Sequence, residues 1–282
     1  MLRRSLTLSA ASLCGVPTRT AASATVRVAV IDWGLAETVL ALGVTPVAAA
    51  ELRGYARWVR EPPMPEGVVD LGLRGEPNLE LLHRQAPDVI LTTPQFAPFL
   101  PRLERIAPVA SFSTYVPGGN PLTRSQATAG ELGRLLRQED DARALLARAE
   151  ALFETKAQHL AAQSERPLLV ASFVDARHLR VYGRNSLFGA TLERLGLVNG
   201  WSKETGFWGF STVAIDQLAQ PLEARLILVE PTPPEVAANL ARNPLWQALP
   251  AARMGRVTKL PPCWAFGGLP SAMRFARLLA HG

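Results

Sequence analysis

The 282-residue chain is 48% hydrophobic and sets 30 basic against 24 acidic residues, a formal charge of +6; that apolar share sustains two cores of domain size and excludes extended disorder. Without Arg3, Arg4 and Arg19, which fall in a leading segment expected to be removed, the charge drops by those three to +3, too mild for a nucleic-acid partner, and no basic run or basic-aromatic patch supports one. Of the two cysteines, Cys14 and Cys263, only the second lies beyond that segment, which excludes a disulfide, a thiolate metal cage and a CxxC redox pair.

The chain opens as an export signal over 1–24. Arg3-Arg4 precedes an uncharged stretch from Ser5 to Val16, and Ala22-Ser23-Ala24 offers a small-residue cleavage site, so the mature chain is expected to begin near Thr25. The arginine pair, the weak hydrophobic stretch and Arg19 close to the cleavage site point to the twin-arginine route. Leu13 stands where lipid attachment at Cys14 would call for a small residue, which speaks against a lipoprotein. No apolar run reaches the roughly 18 to 20 residues of a membrane span.

From Thr25 short β-branched runs alternate with amphipathic stretches, the pattern of layered α/β structure. Strands are predicted at 26–31, 88–92, 108–112, 168–174 and 225–229, and helices at 35–42, 79–85, 186–195 and 271–279, several opened by Asn, Ser or Pro. Between Glu139 and Arg166 there is neither Gly nor Pro, and Ala142, Leu145, Leu146, Ala149, Leu152, Phe153 and Leu160 recur at helical spacing. This predicts one helix over 139–166, on the order of 40 Å long at 1.5 Å per residue. It exceeds what a crossover between parallel strands needs and falls near mid-chain, so it reads as a strut joining two α/β lobes, 25–138 and 167–282. A long helix on the surface of one large domain is the alternative.

The two halves repeat a short theme. Asn78-Leu79-Glu80-Leu81-Leu82 leads to Asp88-Val89-Ile90-Leu91, and Val213-Ala214-Ile215-Asp216-Gln217-Leu218 leads to Arg225-Leu226-Ile227-Leu228 with one extra residue. Each places an acidic residue, Glu80 or Asp216, at a helix start before a buried strand, although helix dipoles favour an acidic first turn anywhere.

Signatures of P-loops, dinucleotide folds, nucleophile elbows and zinc proteases are absent. His83, His159, His178 and His281 are isolated, with no i, i+4 pair and no carboxylate spacing suited to a metal. No metal site is expected. Trp33, Trp58, Trp208 and Trp264 instead fall just after strands or in Pro/Gly-rich loops, with Phe96, Phe207, Phe210 and Phe266 beside similar turns. One loop aromatic can merely plug the end of a core. Several, drawn from both halves, favour an apolar cleft between the lobes, where open α/β sheets bind ligands. Arg74, in Gly72-Leu73-Arg74-Gly75, can reach that crevice, and one guanidinium among aromatics suits a ligand rich in acceptors but poor in net charge. A surface pair with Glu76 or Asp70 is the alternative.

Longer stretches carry a resemblance. Trp58-Val59-Arg60-Glu61-Pro62-Pro63-Met64-Pro65, Asp70-Leu71-Gly72-Leu73-Arg74 and Glu76-Pro77-Asn78-Leu79-Glu80-Leu81-Leu82 resemble the periplasmic ferrichrome-binding proteins of enteric bacteria. So do Asp175-Ala176-Arg177-His178, Gly183-Arg184-Asn185-Ser186-Leu187-Phe188, Glu204-Thr205-Gly206-Phe207-Trp208-Gly209, Asn243-Pro244-Leu245-Trp246-Gln247-Ala248 and Trp264-Ala265-Phe266-Gly267, in order over essentially the whole mature chain. The resemblance implies two α/β lobes joined by one long backbone helix, a shallow aromatic cleft between them and little hinge motion. It implies that Arg74 donates to hydroxamate oxygens around iron(III), that Trp33, Trp58, Trp208 and Trp264 line the pocket, and that Phe266 completes it. Iron arrives with its six sites filled by the siderophore, so the protein needs no cofactor and ligates no metal. The implied partners are a ferric hydroxamate siderophore and the permease of an inner-membrane ABC importer, met by a periplasmic monomer through one exposed carboxylate per lobe, at Glu80 and Asp216.

Three positions depart from that family. Phe96 stands where its pocket tyrosine bonds the hydroxamate, Phe210 where a serine is usual, and Arg180 where a small apolar residue is usual, so the particular siderophore is left open among hydroxamates, including one with an acidic group. The alternatives are a carrier of this fold for a corrinoid, haem or catecholate siderophore, the last of which would demand more cations than Arg74 and Arg180, and an exported α/β hydrolase using Ser211. Ser211 lacks both a following glycine and a recognisable His/Asp pair.

Overall fold

The computed structural model describes residues 26–161 and 166–280; the expected export signal lies outside the described residues. Five strands, β1 (Val28–Val30), β2 (Ala48–Ala49), β3 (Val69–Asp70), β4 (Val89–Thr92) and β5 (Val109–Ser111), form an all-parallel sheet in the order β3-β2-β1-β4-β5. β1 and β4 are buried along their whole length, which is why both read as continuous apolar runs without alternation. The chain leaves β1 towards β2 and β3 on one side, then returns to β4 on the other. The crevice at the carboxyl ends of β1 and β4 is therefore a topological switch point, where ligands of such sheets bind.

Around this sheet lie α1 (Trp33–Ala41), α2 (Leu52–Trp58), α3 (Leu79–Arg84) and α4 (Leu100–Leu103), followed by α5 (Pro121–Leu136) and α6 (Glu139–Leu160). The predicted strut is α6, a helix of 22 residues and about 33 Å. It ends at Leu160 instead of running to 166, and residues 162–165 lie outside the described residues. Ala142, Leu145, Ala149, Phe153 and Leu160 form its buried face, with Leu146 and Leu152 only half-buried. α5 escaped the sequence reading. Asn120 caps it by accepting from Leu122 N and Thr123 N, Arg137 ends it in the left-handed region at φ 59°, and the chain turns directly into α6. The two approach closely at Gly133, where a Cβ would come within 2.5 Å of Ala142 Cβ.

The second sheet contains β6 (Leu168–Phe173), β7 (His178–Tyr182), β8 (Phe210–Ala214), β9 (Arg225–Val229) and β10 (Val257–Leu260) in the order β10-β9-β6-β7-β8, with β7 antiparallel to both neighbours. α7 (Leu187–Arg194), α8 (Pro234–Asn239), α9 (Pro244–Ala248), α10 (Pro250–Arg253) and α11 (Leu269–Leu279) complete this half. The architecture is two α/β lobes joined by one long helix, with a cleft between them. One apolar cluster runs through both lobes, from Val30 and Leu35 past Phe153 to Phe188 and Phe275, while two others fill single lobes. α11 packs against α1, α5, α6 and α7 and so touches both halves.

Polar bonds across the lobes reinforce this joint. Glu37 of α1, fully buried, accepts from Gly268 N at 2.7 Å and Ser271 N at 3.1 Å through Oε1, while its Oε2 lies 2.7 Å from Ser271 Oγ. One side chain thereby caps the first turn of α11 from the other lobe. Burial pushes the Glu37 carboxyl from 4.5 up to about 8, against the hydrogen bonds that favour its charge. The folded chain then holds a proton that the unfolded chain releases above pH 4.5, so stability is fully present below that value and declines as pH rises towards about 8. Glu37→Gln, which keeps an acceptor for Gly268 and Ser271, is expected to flatten that slope. Glu37→Leu strands both amides and is expected to cost about 2–4 kcal/mol. Urea unfolding midpoints across pH 5–9 check both; a parent profile as flat as that of the glutamine variant counts against the protonation.

Candidate ligand-binding cleft

A cavity of about 800 Å³ opens between the lobes, walled by Asp32, Arg74, Thr93, Pro94, Gln95, Ser113 to Pro117, Arg180, Phe207, Trp208, Phe210, Trp264 and Phe266. Its first-lobe wall follows the ends of β1, β4 and β5, and its second-lobe wall comes from β7, the start of β8 and the loop after β10.

Arg74 is fixed on several sides. Its Nε donates to Glu51 Oε2 at 3.2 Å, and its guanidinium carbon stands 3.6 Å above the Trp33 ring and 5.6 Å from that of Trp264. A cation flat on an indole gains from the ring quadrupole and loses little hydrogen-bonding freedom. Among the described residues its terminal nitrogens make no hydrogen bond, and they remain available to the cavity. The expected surface pair with Glu76 or Asp70 is not formed; Glu51 takes that place. Glu51 itself sits in the left-handed region at φ 55°, ψ 56°, a costly conformation for a residue with a Cβ.

Trp33 lies beneath this arrangement, nearly fully buried, with Nε1 donating to Ala50 O at 3.1 Å. α2 presses on its ring through Gly54, where a Cβ would fall 2.3 Å from Trp33 Cζ2. Trp33 is thus the floor under Arg74 and not part of the cavity wall. Trp58, half-buried, meets Trp264 edge-on at 6.1 Å and also stands behind the wall. Phe96 packs against the core of the first sheet and borders a shallower hollow with Glu51, Leu73, Arg74 and Gln95.

Phe266 is the hub of the aromatic wall, with ring centroids 5.2 Å from Trp264, 5.7 Å from Phe210, 6.1 Å from Trp208 and 6.2 Å from Tyr115. The first three pairs meet edge-on and the Tyr115 pair is tilted, geometries that hold the rings in mutually fixed orientations. Trp208 and Phe207 stay exposed at the rim, carried by a loop that closes at Gly209. That residue has φ 72°, and a Cβ there would lie 2.4 Å from Ser186 Cα, so only glycine fits.

Sequence reasoning missed Asp32, Gln95 and Tyr115. Asp32 follows β1 and caps α1, its Oδ1 accepting from Gly34 N at 2.8 Å and Leu35 N at 3.2 Å; an Asp between a predicted strand and helix was the available signal. Burial raises its carboxyl above the usual range, opposed by nearby Arg74 and by those amides. Tyr115 left no pattern to find. Its hydroxyl donates to Ala265 O at 2.9 Å and accepts from Leu187 N at 3.1 Å, bonding the first lobe to the second at the bottom of the cleft, and burial raises its pKa well above the usual tyrosine range.

Glu80 and Asp216 are both exposed in first turns, Glu80 on α3 and Asp216 on the 3₁₀-helix Ile215–Ala219. Ser211 donates its hydroxyl to Glu204 O at 3.2 Å, and no imidazole bonds it among the described residues. A larger hollow of about 950 Å³ lies between the loop that leads into α5 and the second lobe, bordered by Asn120, Arg184, Glu193, Asn199, Lys203 and Thr205. Its one aromatic, Trp201, is buried with Lys203 over the ring, so it has no exposed aromatic wall like that of the cleft between the lobes.

Comparison with known proteins places these features among relatives. Residues 28–263 match the family model described as periplasmic binding protein. The iron(3+)-hydroxamate-binding protein FhuD of Escherichia coli is 36% identical over 253 residues, covering 90% of this chain and 85% of that one. The achromobactin-binding periplasmic protein of Dickeya dadantii is 27% identical, covering 82% and 77%. The crystal structure of the Fe3+-Desferal-bound siderophore-binding protein FhuD from Vibrio cholerae superposes with a TM-score of 0.87 at 30% identity, over 91% of this chain and 97% of that one.

Proposed function

The chain belongs to the periplasmic binding protein family, and from that premise we propose that it carries an iron(III) hydroxamate siderophore of the ferrichrome type to an inner-membrane ABC importer. The observation that carries the reading is Arg74, clamped by Glu51 and stacked on Trp33 at the edge of an aromatic cavity. A ferric trihydroxamate presents anionic oxygens around iron on an otherwise apolar shell. One oriented guanidinium satisfies those oxygens, and the aromatic wall takes the shell. The metal is cargo. On this reading its coordination sites are filled by the siderophore and not by the protein.

Delivery on this reading is made by a monomer exported to the periplasm, through the arginine-paired signal at its start. Glu80 and Asp216, one exposed carboxylate on each lobe, would meet arginines of the two permease subunits. Bonds that tie the lobes together at Glu37 and Tyr115 oppose a wide hinge opening, so the importer would meet nearly the same body with and without cargo.

Ferric hydroxamates are expected to quench tryptophan emission saturably, because Trp208 and Trp264 line the cavity and Trp33 and Trp58 contact Trp264. Free Zn²⁺ should give no stoichiometric binding by calorimetry. A panel adding haem, a corrinoid and a ferric catecholate tests the reading; tighter binding of any of these than of every hydroxamate overturns it.

A further inference from the structure

We propose that Arg180 makes this carrier select ferric hydroxamates bearing a peripheral carboxylate, an inference that rests on the hydroxamate reading of the cleft. Arg180 lies on β7 between Ser172 and Thr212. Phe210 is its diagonal neighbour on β8, and the guanidinium carbon stands 5.1 Å from that ring's centroid, on the cavity wall.

The charges of the cavity are unequally matched. Arg74 has Glu51 at 3.2 Å and Asp32 nearby. Arg180, on the other lobe, has no carboxylate within pairing distance among the described residues. Asp32 and Tyr115 are the remaining ionisable groups on the wall; Asp32 already serves two backbone amides, and the Tyr115 hydroxyl is bonded to Ala265 O and Leu187 N. Arg180 is thus a cation without a carboxylate partner, half-buried and backed by an aromatic face. A neutral ligand that covered it would strip its water and return nothing. A carboxylate on the ligand's periphery returns a charge-assisted, bidentate partner in the geometry a guanidinium fork prefers. Arg74 thus addresses the iron core and Arg180 an acidic arm.

The test varies only the terminal group of one chelate: ferric desferrioxamine B with its terminal ammonium, its N-acetyl derivative, which is neutral there, and its N-succinyl derivative, which ends in a carboxylate. The parent chain is expected to bind the succinyl form about tenfold tighter than the ammonium form, a ratio that shrinks as salt rises from ~0.05 to ~0.5 M. Arg180→Gln should bring the ratio to about twofold or less, Arg180→Lys should keep most of it, and Arg180→Glu should invert it, with circular dichroism confirming that each variant folds. An unchanged ratio in Arg180→Gln overturns the role of Arg180 while leaving the hydroxamate reading intact. Failure of the parent chain to bind even the acetyl form overturns that reading and this inference with it.

Discussion

Replacing Arg74 with alanine is expected to weaken ferric hydroxamate binding by about 2–4 kcal/mol, roughly 30- to 1000-fold in affinity. The ligand keeps its aromatic contacts but loses the donor aimed at its oxygens, and acceptors buried without partners cost more than a surface hydrogen bond contributes. Folding should be almost untouched, since Arg74 lies on the loop between β3 and α3 and Glu51 is open enough to regain water. Arg74→Lys should recover little, because an ammonium neither lies flat on Trp33 nor donates as a planar fork. Titration by tryptophan quenching together with thermal unfolding separates the outcomes, and parent-like affinity in Arg74→Ala would show that the ligand sits elsewhere.

The double reversal Glu80→Lys, Asp216→Lys is expected to abolish siderophore-dependent growth in iron-limited cells while titration in solution stays close to the parent value. Neither residue lines the cleft; both are exposed in first turns, where removing a carboxylate disturbs little but local helix-dipole compensation. Each contact with a permease arginine would be an exposed pair worth about 1 kcal/mol or less, so single reversals should only reduce uptake. Together they set the orientation of a two-lobed body over its channel, and two repulsive contacts replace two attractive ones. Normal uptake by the double variant, or loss of solution binding along with uptake, would remove these residues from docking.

Much of the cleft was legible because aromatic side chains at strand ends have few other uses: Trp208, Phe210, Trp264 and Phe266 line the cavity, as do Arg74 and Arg180. Trp33 and Trp58 carried the same signal yet stand one layer back. Whether a strand-end aromatic faces the ligand or its neighbour depends on what packs over it. For Trp33 that is decided by Gly54 on α2 and by the Arg74 guanidinium, both distant in the chain.

Local chemistry, then, was enough for the longer and better-capped of these elements. The apolar runs at 88–92 and 225–229 and the capped helix beginning after Asn78 were determined by residues within a few positions of one another, as was the Gly- and Pro-free stretch that becomes α6. What local chemistry left open was decided by contacts of long sequence separation: Glu37 capping α11 across 231 positions, Tyr115 bonding Ala265 and Leu187, and the short strands β2 and β3. A two-residue strand has no periodicity to read, and burying a carboxylate or hydroxyl is least costly where a particular donor or acceptor meets it. That meeting exists only in the assembled fold.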